Sequence, residues 1–149
     1  ILKNNAHAKY PGESKGALIN GLSASINYRD PSWQGFEAED LIATIDLGAI
    51  REINSVHVRF LQDQVAWIFL PSKLEIEHSL DGNKFELLYE SFQNNDFTFD
   101  QDIYNYDVET KGVNSRYIRV KGYNLNNCPD YHPGSGNPCW LFSDEIIIN

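Results

Sequence analysis

The sequence has no methionine, and no apolar run near the 18 residues that a membrane-spanning helix needs. It also lacks a secretory leader pattern. A chain that opens on Ile1 without methionine is expected to be a piece of a larger protein. Cations are scarce: 12 Lys and Arg stand against 21 Asp and Glu, for a formal charge of −9. Nucleic acid binding needs clustered cations, so that class is excluded, and simple electrostatic attachment to anionic membranes is disfavoured. Apolar residues nowhere hold the i, i+3, i+4, i+7 spacing through three turns, so long amphipathic helices are excluded. Catalytic signatures are missing as well. There is no serine-centred nucleophile elbow, no phosphate-cradling glycine loop and no His-Glu-x-x-His element. Asp130 beside His132 has no accompanying nucleophile and reads as loop architecture.

Only two cysteines occur, Cys128 and Cys139, with ten residues between them in a stretch with three prolines. The spacing favours a disulfide over two free thiols. It also favours it over a zinc site built on Cys128, His132 and Cys139, which lacks paired spacing and a fourth ligand. A bridge implies work outside the cytoplasm.

What is present is β-type. Leu41–Gly48 and Ile53–Leu61 read as strands, the second with Val56, Val58 and Phe60 on one face and His57 and Arg59 on the other. Ser72–Glu90 reads as a hairpin around Asp81-Gly82-Asn83, with His78 facing the core and hydrogen-bonded. Arg116–Lys121 alternates again, a strand near Ile103–Val108 is less marked, and Ile146–Ile148 reads as a strand buried on both faces. Residues 1–16 form an irregular lead-in. Short strands with frequent turn signals indicate one all-β domain over residues 1–149, a sandwich. The Pro/Gly-rich Cys128–Cys139 loop then reads as a shaped wall of a binding rim.

Five blocks in order, Ala17-Leu18-Ile19-Asn20-Gly21, Ile45-Asp46-Leu47-Gly48, Ser79-Leu80-Asp81-Gly82, Arg116-Tyr117-Ile118-Arg119-Val120 and Asp144-Glu145-Ile146, resemble the discoidin-like family of coagulation factor five/eight C-type domains. That family includes the family 32 carbohydrate-binding modules. Trp33-Gln34-Gly35-Phe36, Cys128-Pro129-Asp130-Tyr131-His132-Pro133-Gly134 and Trp140-Leu141-Phe142 are similar to the C-terminal modules of bacterial chitobiases and related β-N-acetylhexosaminidases. The resemblance implies an eight-stranded jelly-roll-like β-sandwich without catalysis of its own. It implies a module that carries an attached glycoside hydrolase to terminal galactose- or N-acetylhexosamine-type glycans outside the cytoplasm. A docking role within the parent enzyme, or membrane-surface binding through Val65–Leu70, is the alternative.

The resemblance further implies a structural Ca²⁺ held by Asn20, Ser25 and Glu145 with carbonyls near Ala17, Leu22 and Asp144. Asn20 stands where the family has Asp, one negative charge fewer. The sugar rim is expected on Asn27–Phe36, Gln62–Leu70 and Asn127–Pro138. Trp33, Trp67 and Tyr131 would stack on the sugar, and Arg29, Gln34, Gln64, Asn127 and His132 would hydrogen-bond it.

Overall fold

A computed structural model of the chain describes residues 1–14 and 16–149. Six strands carry it: β1 (Gln34–Glu37), β2 (Leu41–Gln62), β3 (Lys73–Ser79), β4 (Glu86–Phe92), β5 (Asp102–Tyr123) and β6 (Trp140–Ile148). Two single-turn 3-10 helices, Ala17–Ile19 and Gln64–Ala66, sit in the loops. The strands form one antiparallel sheet in the order β1-β6-β2-β5-β3-β4.

Strands β2 and β5 are 22 residues each. Laid straight, such a strand would span roughly 70 Å, far beyond a radius of gyration of about 15 Å for a chain of this length. Both therefore bend. In β2 the register against β5 breaks between Asp46 and Arg51 and again between Ile53 and Ser55. Gly48 takes φ 79° there, and its N–H donates to Asp46 Oδ1 at 2.8 Å. Across the ladder, Lys111 and Gly112 also turn to positive φ. The sheet folds over on itself at this crease, and its halves enclose one core as a β-sandwich.

Eight separate strands were expected, and six are present among the described residues. The turn signals at Gly48 and Lys111-Gly112 bend long strands instead of ending them.

Alternation fills the core as the sequence indicates. Val56, Val58 and Phe60 of β2 point inward with Leu41, Ala43 and Ile53, against Leu74 and Ile76 of β3, Ile118 and Val120 of β5 and Leu141 and Ile146 of β6. Each large side chain among them contributes about 1.5–3 kcal/mol on burial. Strand β6 departs from expectation: Ile146 is buried but Ile147 is 44% exposed, because period two sends it to the outer face. The expected β3–β4 hairpin forms, from Lys73 opposite Phe92 to His78 opposite Glu86, with a register shift between Ile76 and Glu77. His78 corrects the sequence reading. Its Nδ1 is buried without a hydrogen-bond partner among the described residues, and Nε2 stands 3.8 Å from Glu86.

The lead-in is irregular but tied down. Leu2 bridges Ala43, Pro11 bridges Gln34, and Gly35 N–H donates to Tyr10 O at 2.9 Å. Lys15, within that lead-in, lies outside the described residues. A second cluster, Ala24, Trp33, Leu61, Ile68 and Phe142, plugs one end, and Tyr10, Tyr28, Ala66 and Trp140 pack on it. This plug holds the loops of the candidate site.

Candidate functional site

Four loops meet at the plugged end, and side-chain hydrogen bonds stitch them together. Gln101 Nε2 donates to Ile26 O and to Asp63 Oδ2, both at 2.9 Å. Gln64 Nε2 donates to Asp96 O at 2.8 Å, and Tyr131 donates its hydroxyl hydrogen to Asn95 O. Asn95 in turn exchanges two 3.1 Å bonds with the backbone of Leu70. Such bonds satisfy main-chain groups that irregular loops leave without a ladder partner.

The rim expected from sequence divides in two. Trp33, Gln34, Gln64 and His132 are buried and cannot meet a ligand. The Trp33 indole is fully enclosed, and its Nε1 donates to Ser25 O at 3.0 Å. Gln34 Nε2 donates to Pro11 O at 2.8 Å. His132 accepts Gly134 N–H at Nδ1 (3.0 Å) and so carries its proton on Nε2, which donates to Gln64 O at 2.8 Å. Each of these four braces a loop, since a buried polar side chain is retained only where it is hydrogen-bonded. Arg29, Trp67, Asn127 and Tyr131 are exposed, as a contact residue must be.

The exposed groups form two neighbouring surfaces. One is a cleft of about 530 Å³ lined by Lys9, Tyr10, Pro11, Gly12, Tyr28, Arg29, Asp30 and Pro31, with the enclosed Trp33 behind them. The Tyr10 and Tyr28 rings meet edge-on with centroids 6.4 Å apart. Lys9 Nζ lies 5.2 Å from the Tyr10 centroid and the Arg29 guanidinium 5.0 Å from that of Tyr28. Packing against the loop core fixes these half-buried rings. The other surface is an aromatic ledge. Trp67 takes φ 67° and lays its ring against Gly134, where a Cβ would come within 2.8 Å of it. Tyr131, Phe97 and Phe99 continue the ledge edge-to-face, with Val65 beside it. Sequence reasoning missed Lys9, Tyr10, Phe97 and Phe99. They come from segments without periodicity, and only the folded chain brings Tyr10 beside Tyr28.

Cys128 and Cys139 are free thiols, which corrects the expected disulfide. Asn127 pairs with Pro138, Cys128 N–H donates to Asn137 O, and Cys139 N–H donates to Asn126 O. The two cysteines are therefore diagonal across this short bridge. Both pack with Phe69 instead, and the Cys139 thiol donates to Asn124 Oδ1 at 3.3 Å. Burial pushes the Cys139 thiol up to about 12. With both His132 nitrogens engaged, the zinc alternative has no imidazole lone pair left.

The F5/8 type C domain profile matches residues 3–133. The chain belongs to the F5/8 type C domain family. No curated protein matches it. Among solved structures it is similar to CpGH89CBM32-6 produced by Clostridium perfringens, at 16% identity and TM-score 0.59, over 100% of this chain and 90% of that one. It is also similar to CBM32-3 from a family 31 glycoside hydrolase of Clostridium perfringens (14%, TM-score 0.56, 99% and 86%). A third is the C-terminal domain of a chitobiase from Bacteroides fragilis (16%, TM-score 0.52, 98% and 81%).

In this F5/8 type C domain, the turn after the first 3-10 helix wraps two buried carboxylates. Gly21 N–H donates to Glu145 Oε2 at 2.9 Å, and Ala24 N–H to Asp144 Oδ2 at 2.7 Å. Arg59 Nη1 meets the same Asp144 oxygen at 2.7 Å. Two carboxylates face one guanidinium, and Asp144 Oδ1 is buried with no hydrogen-bond partner among the described residues. Burial pushes both carboxyls above their ordinary range. The surplus negative charge and free oxygen fit an oxygen-seeking cation such as Ca²⁺. Of the expected ligands, Asn20 Oδ1 accepts Leu22 N–H at 2.8 Å, so the Asn that replaces the family's Asp also shapes the turn.

One hydrogen-bond chain has the connectivity of a hydrolytic triad. Ser55 Oγ is 2.9 Å from His57 Nε2, and His57 Nδ1 is 2.7 Å from Asp107 Oδ1. Ser55, however, is buried beneath Asn149, whose Nδ2 donates to Oγ at 3.3 Å. The Ser55 N–H is bound to Asn149 O in the ladder and is not free to hold an oxyanion. The chain therefore serves as sheet architecture.

Proposed function

We propose that this domain is a non-catalytic carbohydrate-binding module whose ligand sits in the Tyr10–Tyr28–Arg29 cleft. The observation that carries this is the pairing, in one cleft, of two fixed tyrosine rings with a guanidinium that no carboxylate among the described residues holds. A pyranose offers a C–H face to such rings and hydroxyls to such donors. The fold neighbours support the reading, and one of them, CpGH89CBM32-5, was solved in complex with GalNAc-β-1,3-galactose (16% identity, TM-score 0.51). One sugar on an open rim binds with Kd of roughly 0.01–1 mM. Attachment to a glycoside hydrolase, of chitobiase or β-N-acetylhexosaminidase type, would convert this weak grip into useful local concentration. An extracytoplasmic setting suits that role and no longer leans on the cysteines. Titration with galactose, N-acetylgalactosamine, N-acetylglucosamine and short oligosaccharides tests the reading. Saturable binding lost in Tyr28→Ala supports it, and silence at about 10 mM, well above the expected Kd, overturns it.

A docking role has one observation in its favour, the ledge of Val65, Phe97 and Phe99, of which Phe99 is 77% exposed. Such a ledge fits an apolar partner surface on a parent enzyme. Asp63, Asp96, Asp100 and Asp102 crowd the same loops, which sets it against anionic membranes. Co-sedimentation with anionic vesicles would reverse that preference.

We also propose that Ca²⁺ is held at the Asn20–Ser25 turn by Glu145, Asp144, Asn20 and neighbouring carbonyls, where it would neutralise the surplus buried charge. Added Ca²⁺ should raise the melting temperature of chelator-treated protein. A temperature indifferent to both chelator and Ca²⁺ rules the site out.

A further inference from the structure

Arg59, Lys73, Arg116, Arg119 and Lys121 each lie against a carboxylate. In a protein with 21 acidic residues, that is the expected fate of a cation. Lys9 and Arg29 are in no ion pair among the described residues. Lys3, Arg51, Lys84 and Lys111 share that state, but none of them lines a described cleft, whereas Lys9 and Arg29 line the same one.

The nearest carboxylate in sequence, Asp30, does not neutralise Arg29. Its oxygens accept Ser25 N–H at 2.8 Å and Ser32 N–H at 3.1 Å, and these main-chain bonds hold its carboxyl below the ordinary range. Arg29 and Lys9 rest instead on the rings of Tyr28 and Tyr10. Cation–ring contact orients a guanidinium yet leaves its edge N–H donors free. The cleft thus presents a row of cation, ring, ring and cation, and its one carboxylate is committed to backbone.

We infer that this cleft selects an acidic pyranose, a sugar bearing a carboxylate or a sulfate, over its neutral counterpart. The inference rests on the carbohydrate reading of the cleft and adds the charge of the ligand. The sugar's C–H face lies on Tyr28 or Tyr10. Its anionic group takes the Arg29 fork, which matches two coplanar oxygens, and Lys9 adds a second positive charge from the opposite ring. The surrounding net negative charge of −9 works against an anionic ligand, so the preference has to come from the local contacts of Arg29 and Lys9.

The test is calorimetric titration of the 149-residue chain with three ligands: an oligogalacturonate, a sulfated galactose and neutral galactose. At least one acidic ligand should bind about tenfold or more tighter than galactose. That margin should shrink as salt rises from 50 to 300 mM, because exposed charges are screened over about 10 Å or less. Arg29→Gln and Lys9→Gln should remove most of the margin, lowering affinity for the acidic ligand several-fold more than affinity for galactose. Comparison of the carboxylate with the sulfate identifies which anion the fork accepts. Galactose binding as tightly as both acidic ligands overturns the inference and leaves the carbohydrate reading standing. Unchanged acidic affinity in both variants overturns it as well. No binding of any of the three overturns the carbohydrate reading of the cleft along with it.

Discussion

His132 donates from Nε2 to the main-chain carbonyl of Gln64 at 2.8 Å, and this bond clamps two rim loops that lie 68 residues apart in sequence. The ring also accepts Gly134 N–H and packs edge-on to Phe69, with centroids 5.4 Å apart. Its role is therefore to brace the loops. His132→Ala leaves the buried Gly134 N–H without its acceptor, takes one of two donors from Gln64 O (which still accepts Trp67 N–H) and opens a hole beside Phe69. A loss of about 2–4 kcal/mol follows, or roughly 5–15 °C in melting temperature. Thermal denaturation of the variant checks this, and an unchanged midpoint would contradict the clamp.

That bond also shows what a sequence reader can and cannot see. The alternation of Val56, Val58 and Phe60 fixes a buried face by itself, because side chains of a strand have period two. The family blocks likewise carry the sandwich. Exposure within an irregular loop has no such period. Trp33 and Trp67 look alike in sequence, yet one is fully enclosed and the other 37% exposed. Polar rim candidates misled for a related reason. Loops leave main-chain groups without ladder partners, so a Gln or His at a rim serves its own backbone as readily as a ligand. Arg29 was legible, but its partners were not, since Lys9 and Tyr10 reach the cleft only through the Pro11–Gln34 bridge.

The cysteines give a second check. Both thiols are buried, and the Cys139 thiol is pushed up to about 12, so neither offers an accessible thiolate near neutral pH. Ellman's reagent should find no fast-reacting thiol in the native protein and two after denaturation. Mass should be unchanged by reductant. A loss of two hydrogens in the non-reduced protein would show the bridge after all.

Gly134 is a close-approach position, with its Cα against the Trp67 ring. Gly134→Ala would place a methyl 2.8 Å from Trp67 Cζ2, inside van der Waals contact. The ring or the loop must shift, at a cost of about 1–3 kcal/mol. Tryptophan emission should change in wavelength or intensity along with stability. An identical spectrum and identical stability would mean that Trp67 is not seated on this loop.

Acid titration should separate two sets of carboxylates. Asp46 and Glu75 are held down to about 2, chiefly by hydrogen bonds from the Arg116 and Lys73 side chains respectively. Their contribution is full above the unfolded-state value near 4 and is lost as pH falls towards 2. Asp144 and Glu145 behave oppositely. Burial raises both, against the opposing pull of backbone N–H donors and of Arg59. The native state then holds protons that the unfolded state releases, so stability falls as pH rises from the unfolded value through the folded one. In chelator-treated protein the melting temperature should fall as pH rises from the unfolded carboxylate value near 4 through the raised folded values, and should collapse below about 4. Glu145→Gln should flatten the limb above pH 5 and leave the acid collapse in place. Saturating Ca²⁺ should flatten it too, since a cation stabilises the ionised pair that protons would otherwise neutralise. A melting temperature that rises steadily with pH above the acid collapse, without Ca²⁺, would mean that the two carboxylates carry no surplus charge.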